Sequence, residues 1–409
     1  MSTSPILQQV VPGEAVAGVI HPRLMTLEPS PWRDALLCLA AQLSATAIER
    51  DQRGGSAQDE KALIRGSGLL DLSIPREHGG AGVPWPDIYR ASRYLAAVDS
   101  SLAHLFAFHH LQLATIQLFG DPAQQARWLR QSVAANWFWG NATNGRDTGL
   151  QLRGEAGGYR LHGSKSFCSG ALGADALVVS APRSADPNDR VFAIVPAHSA
   201  GLQVNNDWDG FGQRQTDSGT VLFDAVTVGS GDLLESGIGT TRGSLRTCLS
   251  QLVLVQIYLG NALGALDAAL AYLGEGGGRL GAPGSVDEAF VQLRLGELWA
   301  RYLAATELAE RAAQMLQRVW ALPAPSASAR GELALAVAEA RLLAARVALD
   351  ITSDVFEALG ARATSSRYGL DRFWRNVRVH TLHDSLDLKQ RDIGRWLLSG
   401  EQPAASLYS

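Results

Sequence analysis

Apolar spacing divides the chain into three stretches. From about Pro31 to Asn136 apolar residues recur with a helical period. Asp121-Pro122 marks one helix start, since Asp accepts from the open N–H groups and Pro in the first turn sacrifices no hydrogen bond. The segment LRQSVAANWFWGN then leaves that period. Between 137 and 232 come short runs rich in Val, Ile and Phe: YRLHGSKSF, DALVVSA, RVFAIVP and GTVLFDAVTV, with Gly157-Gly158 and other turn residues between them. Strands so close together, with no helix intervening, predict an antiparallel sheet or small barrel. Helical spacing returns after Gly243. Ser285 and Glu288 suit a capping box, 322–330 is a Pro/Ala/Ser linker, and the pattern over 331–359 stops at Gly360. Residues 1–30 hold no period and are expected to form a loosely held arm. The expected organisation is therefore an arm (1–30), a helical domain (31–136), a β domain (137–232) and a C-terminal helical domain (233–409). This is a mainly α chain with an inserted β domain.

Composition narrows the function classes. At 409 residues the chain is long enough for two or three packed domains. Its 46% apolar and 19% charged residues are those of a globular protein. A net charge of -4 offers no basic face for nucleic acid. The three cysteines, Cys38, Cys168 and Cys248, are far apart and odd in number, so neither a disulfide framework nor a zinc pattern is expected; a reducing cytoplasm fits them. No secretory signal opens the sequence. The apolar stretch 251–273 is interrupted by Gln256, Asn261 and Asp267, which predicts a buried helix and not a membrane span.

Several motifs have competing readings. GGGRLG (276–281) matches GxGxxG but follows an apolar helix where a dinucleotide site needs a strand, so a helix–helix loop is expected there. His380, His383 and Asp384 have the residue types of a two-histidine, one-carboxylate metal set, but no further ligand is evident, and capping or pocket lining is the expected role. His104, His109 and His110 sit within the apolar segment SLAHLFAFHHLQL. They read equally as hydrogen-bonded core residues or as the lining of a cavity. KSFCSG (165–170) ends a strand with small polar groups that could meet the N5 and carbonyl edge of a flavin, although many strands end this way.

Together these residues carry a resemblance. IPREHGGAG (74–82), the β block with KSFCSG, and GARATSSRYGLDRFWRNVRVHTLHD (360–384) resemble the acyl-CoA dehydrogenase superfamily. FWGNA (138–142), DWDGFGQRQTDSG (207–219), YLGNALGALDAA (258–269) and FWRNVRVHTLHD are most similar to its flavin monooxygenase branch, that of dibenzothiophene monooxygenase. The likeness runs from about residue 60 to 400. It implies a homotetramer whose subunit has an N-terminal helical domain, a central β domain and a C-terminal four-helix bundle, with flavin between the last two.

The resemblance also implies the chemistry. A dehydrogenase of this superfamily needs a glutamate to take the substrate's α-proton. One family position falls on Asp384-Ser385-Leu386, a side chain one methylene short and without the usual Gly-Thr; the other falls near Ser250. An FAD-dependent acyl-CoA dehydrogenase is thus the weaker expectation, and an inactive flavin-binding or scaffold homologue a third. A two-component monooxygenase is the reading favoured: reduced FMN and O2 form a C4a-(hydro)peroxide that oxygenates a small organosulfur compound. By the resemblance, His383, His104, Asn141 and Ser169 are its catalytic residues. Asn141, Phe167, Cys168, Ser169, Arg279 and Arg362 hold the flavin, and His104, Phe108 and His109 line the substrate pocket. Phe108 replaces a tyrosine of the branch and Gly274 a phosphate-contacting arginine, for which Arg279 is the expected substitute. No NAD(P)H fingerprint is present, which implies a separate NAD(P)H:flavin reductase.

Overall fold

A computed structural model describes residues 18–155, 158–183, 190–275 and 289–406. Arg279, the GGGRLG loop and the expected Ser285/Glu288 capping box lie outside the described residues. Six helices come first: α1 (Arg33–Ser44), α2 (Ala47–Arg53), α3 (Gln58–Gly66), α4 (Trp85–Val98), α5 (Ser100–Phe119) and α6 (Pro122–Ala134). Helix α6 begins where expected: Asp121 accepts from the Gln124 N–H at 2.8 Å, and the Gln124 side chain returns to the Asp121 N–H at 2.9 Å. The segment before α1 is not a free arm over its described part. The N–H of Val19 donates to Tyr94 Oη at 3.0 Å, that of His21 to Asp267 Oδ1 at 2.8 Å, and Ile20 is buried.

Among the described residues eight strands follow: β1 (Trp139–Ala142), β2 (Leu150–Glu155), β3 (Gly158–Lys165), β4 (Ala176–Pro182), β5 (Arg190–Pro196), β6 (Leu202–Val204), β7 (Val221–Val228) and β8 (Leu233–Leu234). They form two four-stranded sheets, ordered β1-β4-β5-β8 and β2-β3-β7-β6. The second is antiparallel throughout, but β1 runs parallel to β4 with Asn141 opposite Val178, which departs from the all-antiparallel expectation. The first sheet also extends past residue 232, because β8 pairs with β5.

The helical C-terminal part comprises α7 (Leu245–Gly274), α8 (Ala289–Trp320), α9 (Ala327–Leu359), α10 (Asp371–Thr381) and α11 (Leu386–Ser399). Helix α9 starts at Ala327, inside the expected linker, because Ser326 Oγ accepts from the Ala329 N–H at 3.1 Å. Helix α7 is apolar and long enough to span a membrane, yet it lies buried in the protein. Gly260 and Gly264, four apart on α7, explain how closely it meets α4: a Cβ on Gly264 would stand 2.2 Å from the Ala97 carbonyl. The 207–219 loop is tied to α10, since the Gln213 N–H donates to Asn376 Oδ1 at 2.7 Å. Helices α5, α7 and α10 pack against one another, and α5 also meets β1.

Candidate active site

Helix α5 is buried on nearly every side from Ser100 to Ile116, so polar side chains within it must find partners inside the protein. Residues 104, 108, 112 and 115 are spaced to share one helical face. They run along about 16 Å of helix at 1.5 Å per residue. His104 heads this stripe: its Nδ1 lies 2.9 Å from Nε2 of His380, on α10, and its ring stacks on Phe108 at 3.9 Å. Gln112 donates to Asn141 Oδ1 at 3.3 Å, and Thr115 meets the Arg246 guanidinium at 2.8 Å.

The three histidines of α5 have different roles. His109 was expected to line the pocket, but Trp139 N–H donates to its Nδ1 at 3.1 Å and its Nε2 lies 2.7 Å from the Leu70 carbonyl. Both ring nitrogens are committed to backbone, so His109 ties α5 to β1 and to the segment before α4. His110 turns to Ser73 Oγ at 2.8 Å.

Burial pushes the His104 imidazole down to about 3, with nearby His383 adding to the effect, and His109 to about 4. It also holds His110 and His380 well below the ordinary histidine range. All four are therefore neutral near pH 7, whereas in the unfolded chain they return to about 6.5. Below that value the unfolded chain binds more protons, so stability rises with pH. The stability these groups contribute is complete above about pH 6.5 and is lost as pH falls toward the folded values. Thermal melting followed from pH 7.5 to pH 4.5 should show Tm declining steadily below about pH 6.5. A flat profile down to pH 5 would contradict neutral burial of these rings.

A neutral pair joined at one nitrogen each has a useful property. If His380 Nε2 carries the shared proton, His104 Nε2 must carry the other proton of its own ring. If His104 Nδ1 carries it, His104 Nε2 is a bare acceptor and His380 Nδ1 is protonated. Both outer nitrogens are buried without a partner. The pair can thus accept a proton at one end and release one at the other.

At the end of β1, Asn141 Oδ1 accepts from Gln112 and, at 2.6 Å, from the Thr143 hydroxyl. These donors fix the amide's orientation and leave Nδ2, only 3.5 Å from the Phe167 carbonyl, as its donating side. Opposite is a hydroxyl chain: Ser169 to Ser218 at 2.8 Å, Ser218 to Thr216 at 2.7 Å, and Thr216 to the Gln213 carbonyl at 3.0 Å. A carbonyl only accepts, so Thr216 donates to it, Ser218 to Thr216, and Ser169 to Ser218. Ser169 Oγ is left with lone pairs, an acceptor for an incoming N–H.

Other expected flavin contacts are placed differently. Phe167 takes φ of 55°, and its ring is 58% exposed beside Trp208. Cys168, also expected to hold flavin, is turned inward instead. Its N–H donates to the Gly219 carbonyl at 3.0 Å, its thiol faces the Lys165 carbonyl, and burial pushes the thiol up to about 12. Arg362 lies exposed in a single turn after Gly360. His383 is half-exposed in the turn after α10, its Nδ1 3.8 Å from Asp384. Asp384 itself is fully buried, ion-paired with Arg341 and accepting from Gln251 at 3.2 Å. Burial alone would raise its pKa, but His383, Arg341 and Lys389 hold it below the ordinary carboxylate range. Among the described residues no group of three His, Cys, Asp or Glu side chains could hold a metal ion.

Sequence reasoning did not identify Gln112, Thr143, Arg246 and Ser218 as site residues, and placed His380 only in the metal reading. For Gln112 a signal was available: polar residues at 104, 112 and 115 share one face of an otherwise apolar helix. Nothing local in the sequence announces Arg246.

Residues 38–136 match the N-terminal domain of acyl-CoA dehydrogenase, and 252–388 match its C-terminal domain. The chain belongs to the acyl-CoA dehydrogenase family. Within this family it is 41% identical to the "probable FMNH2-dependent monooxygenase SfnC" of Pseudomonas putida, over 93% of this chain and 98% of that protein. The structure of methanesulfinate monooxygenase MsuC from Pseudomonas fluorescens superposes with a TM-score of 0.89 at 41% identity, covering 93% of this chain and all of that one. That of dibenzothiophene monooxygenase TdsC from Paenibacillus sp. A11-2 gives 0.88 at 39% identity, with 93% and 100% covered. TdsC has also been solved with FMN and with indole bound. This acyl-CoA dehydrogenase family member thus resembles FMN-linked oxygenases along almost its whole length.

Proposed function

We propose that the chain is the oxygenating component of a two-component FMNH2-dependent monooxygenase acting on a small organosulfur compound: a sulfide, thiophene, sulfinate or sulfone. The observation that carries this reading is the state of Asp384. The carboxylate nearest the dehydrogenase base position is consumed by Arg341 and Gln251 and cannot collect an α-proton. The polar groups along this face of α5 and at the end of β1 are neutral imidazoles, an oriented amide, hydroxyls and the Arg246 guanidinium. The FMNH2-dependent and sulfur-oxidising relatives support the same choice.

The residues present fit a flavin. Asn141 has a donating Nδ2 and Ser169 an accepting Oγ, complementary to a ring edge with carbonyl oxygens and, when reduced, an N–H. When bound, reduced FMN supplies two electrons for activation of O2. One oxygen atom then goes to the substrate, onto sulfur for a sulfide, thiophene or sulfinate and with cleavage of a C–S bond to sulfinate and a carbonyl compound for a sulfone, and the other leaves as water. Asn141, positioned by Gln112 and Thr143, and Ser169, positioned by Ser218, orient the cofactor. Phe108, stacked on the His104 ring, would help keep water from that imidazole. His383 handles a proton at the solvent side, and the His104–His380 pair carries one through the buried side. A separate NAD(P)H:flavin reductase delivers the reduced FMN, and the active form is a cytoplasmic homotetramer.

To test this, the purified protein is mixed anaerobically with chemically reduced FMN and a sulfur compound, then exposed to O2. Oxygenated sulfur product should form with little hydrogen peroxide, and NADH with FMN but no reductase should give no turnover. Flavin that reoxidises as fast as it does free in solution, without product, would refute the proposal. Retention of FAD and its bleaching by acyl-CoA would favour a dehydrogenase.

A further inference from the structure

Arg246 stands near the start of α7, partly buried, with its guanidinium reaching two hydroxyls: Thr115 Oγ1 at 2.8 Å and Thr143 Oγ1 at 3.0 Å. The face of Phe192 lies 5.0 Å away. Among the described residues no carboxylate pairs with it. Burial alone pushes its pKa down to about 10, with no neighbouring anion to oppose the shift. Among other buried cations, Arg341 has Asp384, Lys61 has Asp217, and Arg50 has Asp99 and Glu60, whereas Lys165 is met by the Asn144 and Asp147 carbonyls. A guanidinium partly withdrawn from water, with hydroxyls but no carboxylate beside it, keeps its charge available to an anion from outside the chain.

The location of Arg246 indicates which anion. Thr143 also donates to Asn141 Oδ1, so Arg246 is one side chain removed from the amide at the centre of the site. We infer that Arg246, held in place by Thr115 and Thr143, recognises the anionic oxygens of the substrate, so that this site takes a small sulfur oxyanion of the sulfinate class in preference to a neutral thioether or thiophene. The inference rests on the monooxygenase reading and sharpens it. A planar fork meets two oxygens of one sulfur centre side by side, as it meets a carboxylate. The phosphate of FMN is the other oxyanion source, but a phosphomonoester carries close to two charges and Arg246 supplies only one cation.

Equilibrium binding to the FMN-loaded protein distinguishes these sources. By titration calorimetry, methanesulfinate should bind at least about tenfold more tightly than dimethyl sulfone, a neutral molecule of similar size. Arg246→Gln should weaken methanesulfinate binding, and raise its KM, by about tenfold to a hundredfold. FMN affinity should stay within about twofold, a shift of only about 0.4 kcal/mol. Equal binding of sulfone and sulfinate by the unaltered protein would overturn the inference without reference to any variant. So would an Arg246→Gln protein that loses FMN and keeps sulfinate. Oxygenation of neutral sulfur compounds with no binding of sulfinate would defeat this inference while leaving the monooxygenase reading intact. Failure to oxygenate any sulfur compound with reduced FMN would defeat that reading itself.

Discussion

Replacing Arg341 with alanine is expected to destabilise the protein by about 3–5 kcal/mol, the typical cost of stranding one member of a buried ion pair. Both Arg341 and Asp384 have fully buried side chains, and Gln251 bridges them by bonding to each. Without Arg341, the Asp384 carboxylate keeps only Gln251, His383 and the more distant Lys389 as favourable neighbours. Burial would then dominate and raise its pKa. Since the native pKa lies below the ordinary value, the stability this pair contributes is present above the unfolded pKa and is lost in acid as Asp384 protonates. The Arg341→Ala variant should therefore lose much of its acid-dependent stability change in the range below about pH 4, where carboxylates titrate. Denaturant melts at pH 7 and at about pH 3 measure both effects. Converting both residues to leucine separates lost packing from stranded charge, because apolar replacement of a whole pair is often neutral or stabilising. If the single variant lost less than about 1 kcal/mol, the pair would be no more important than an exposed one.

The anchoring extends to function through chain connectivity. Asp384 directly follows His383, and His380 lies one turn earlier on α10. Helix α10 is held on one side by Asn376 bonding to the 207–219 loop, and its end by Arg341 binding Asp384. A loose end at Asp384 would displace both histidines relative to His104.

Much of the architecture could be read from apolar spacing, because helical and β segments differ in period and the β block has no helices inside it. The parallel pairing of β1 with β4 could not, since β1 is only four residues long and its partner begins 34 positions later. The candidate site was partly legible. Asn141, Ser169 and His383 sit in segments whose likeness to the family spans several residues. The roles of His109 and Cys168 were misjudged for the same physical reason. Each lies in a segment that does border the site, but each spends its hydrogen-bonding groups on backbone carbonyls or N–H groups that a linear sequence does not reveal. Arg246 went unnoticed because an unpaired cation is defined by the absence of a partner in space. The same holds for His380, whose importance comes from a ring 276 positions away.

Substituting phenylalanine for His104 or His380 is expected to reduce sulfur product formed per reduced FMN by about a hundredfold or more, within the range attributed to positioned acid–base groups. The ring volume is roughly kept, so packing against Phe108 and Tyr258 survives while the shared proton does not. In each variant the remaining imidazole has no partner at 2.9 Å and can no longer pass a proton from one side of the pair to the other. Electrons from the flavin should then appear as hydrogen peroxide, while FMN binding, for which Asn141 and Ser169 are proposed, is retained. Because both rings are neutral in the folded protein, the unaltered enzyme's product-to-peroxide ratio should not follow an ordinary histidine titration near pH 6.5 on their account. Parallel assays of sulfur product and peroxide across pH 6–9 test both parts. A His104→Phe protein with undiminished product yield would remove the pair from the mechanism. Loss of yield in only one of the two variants would show that a single imidazole acts there and that no proton passes between them.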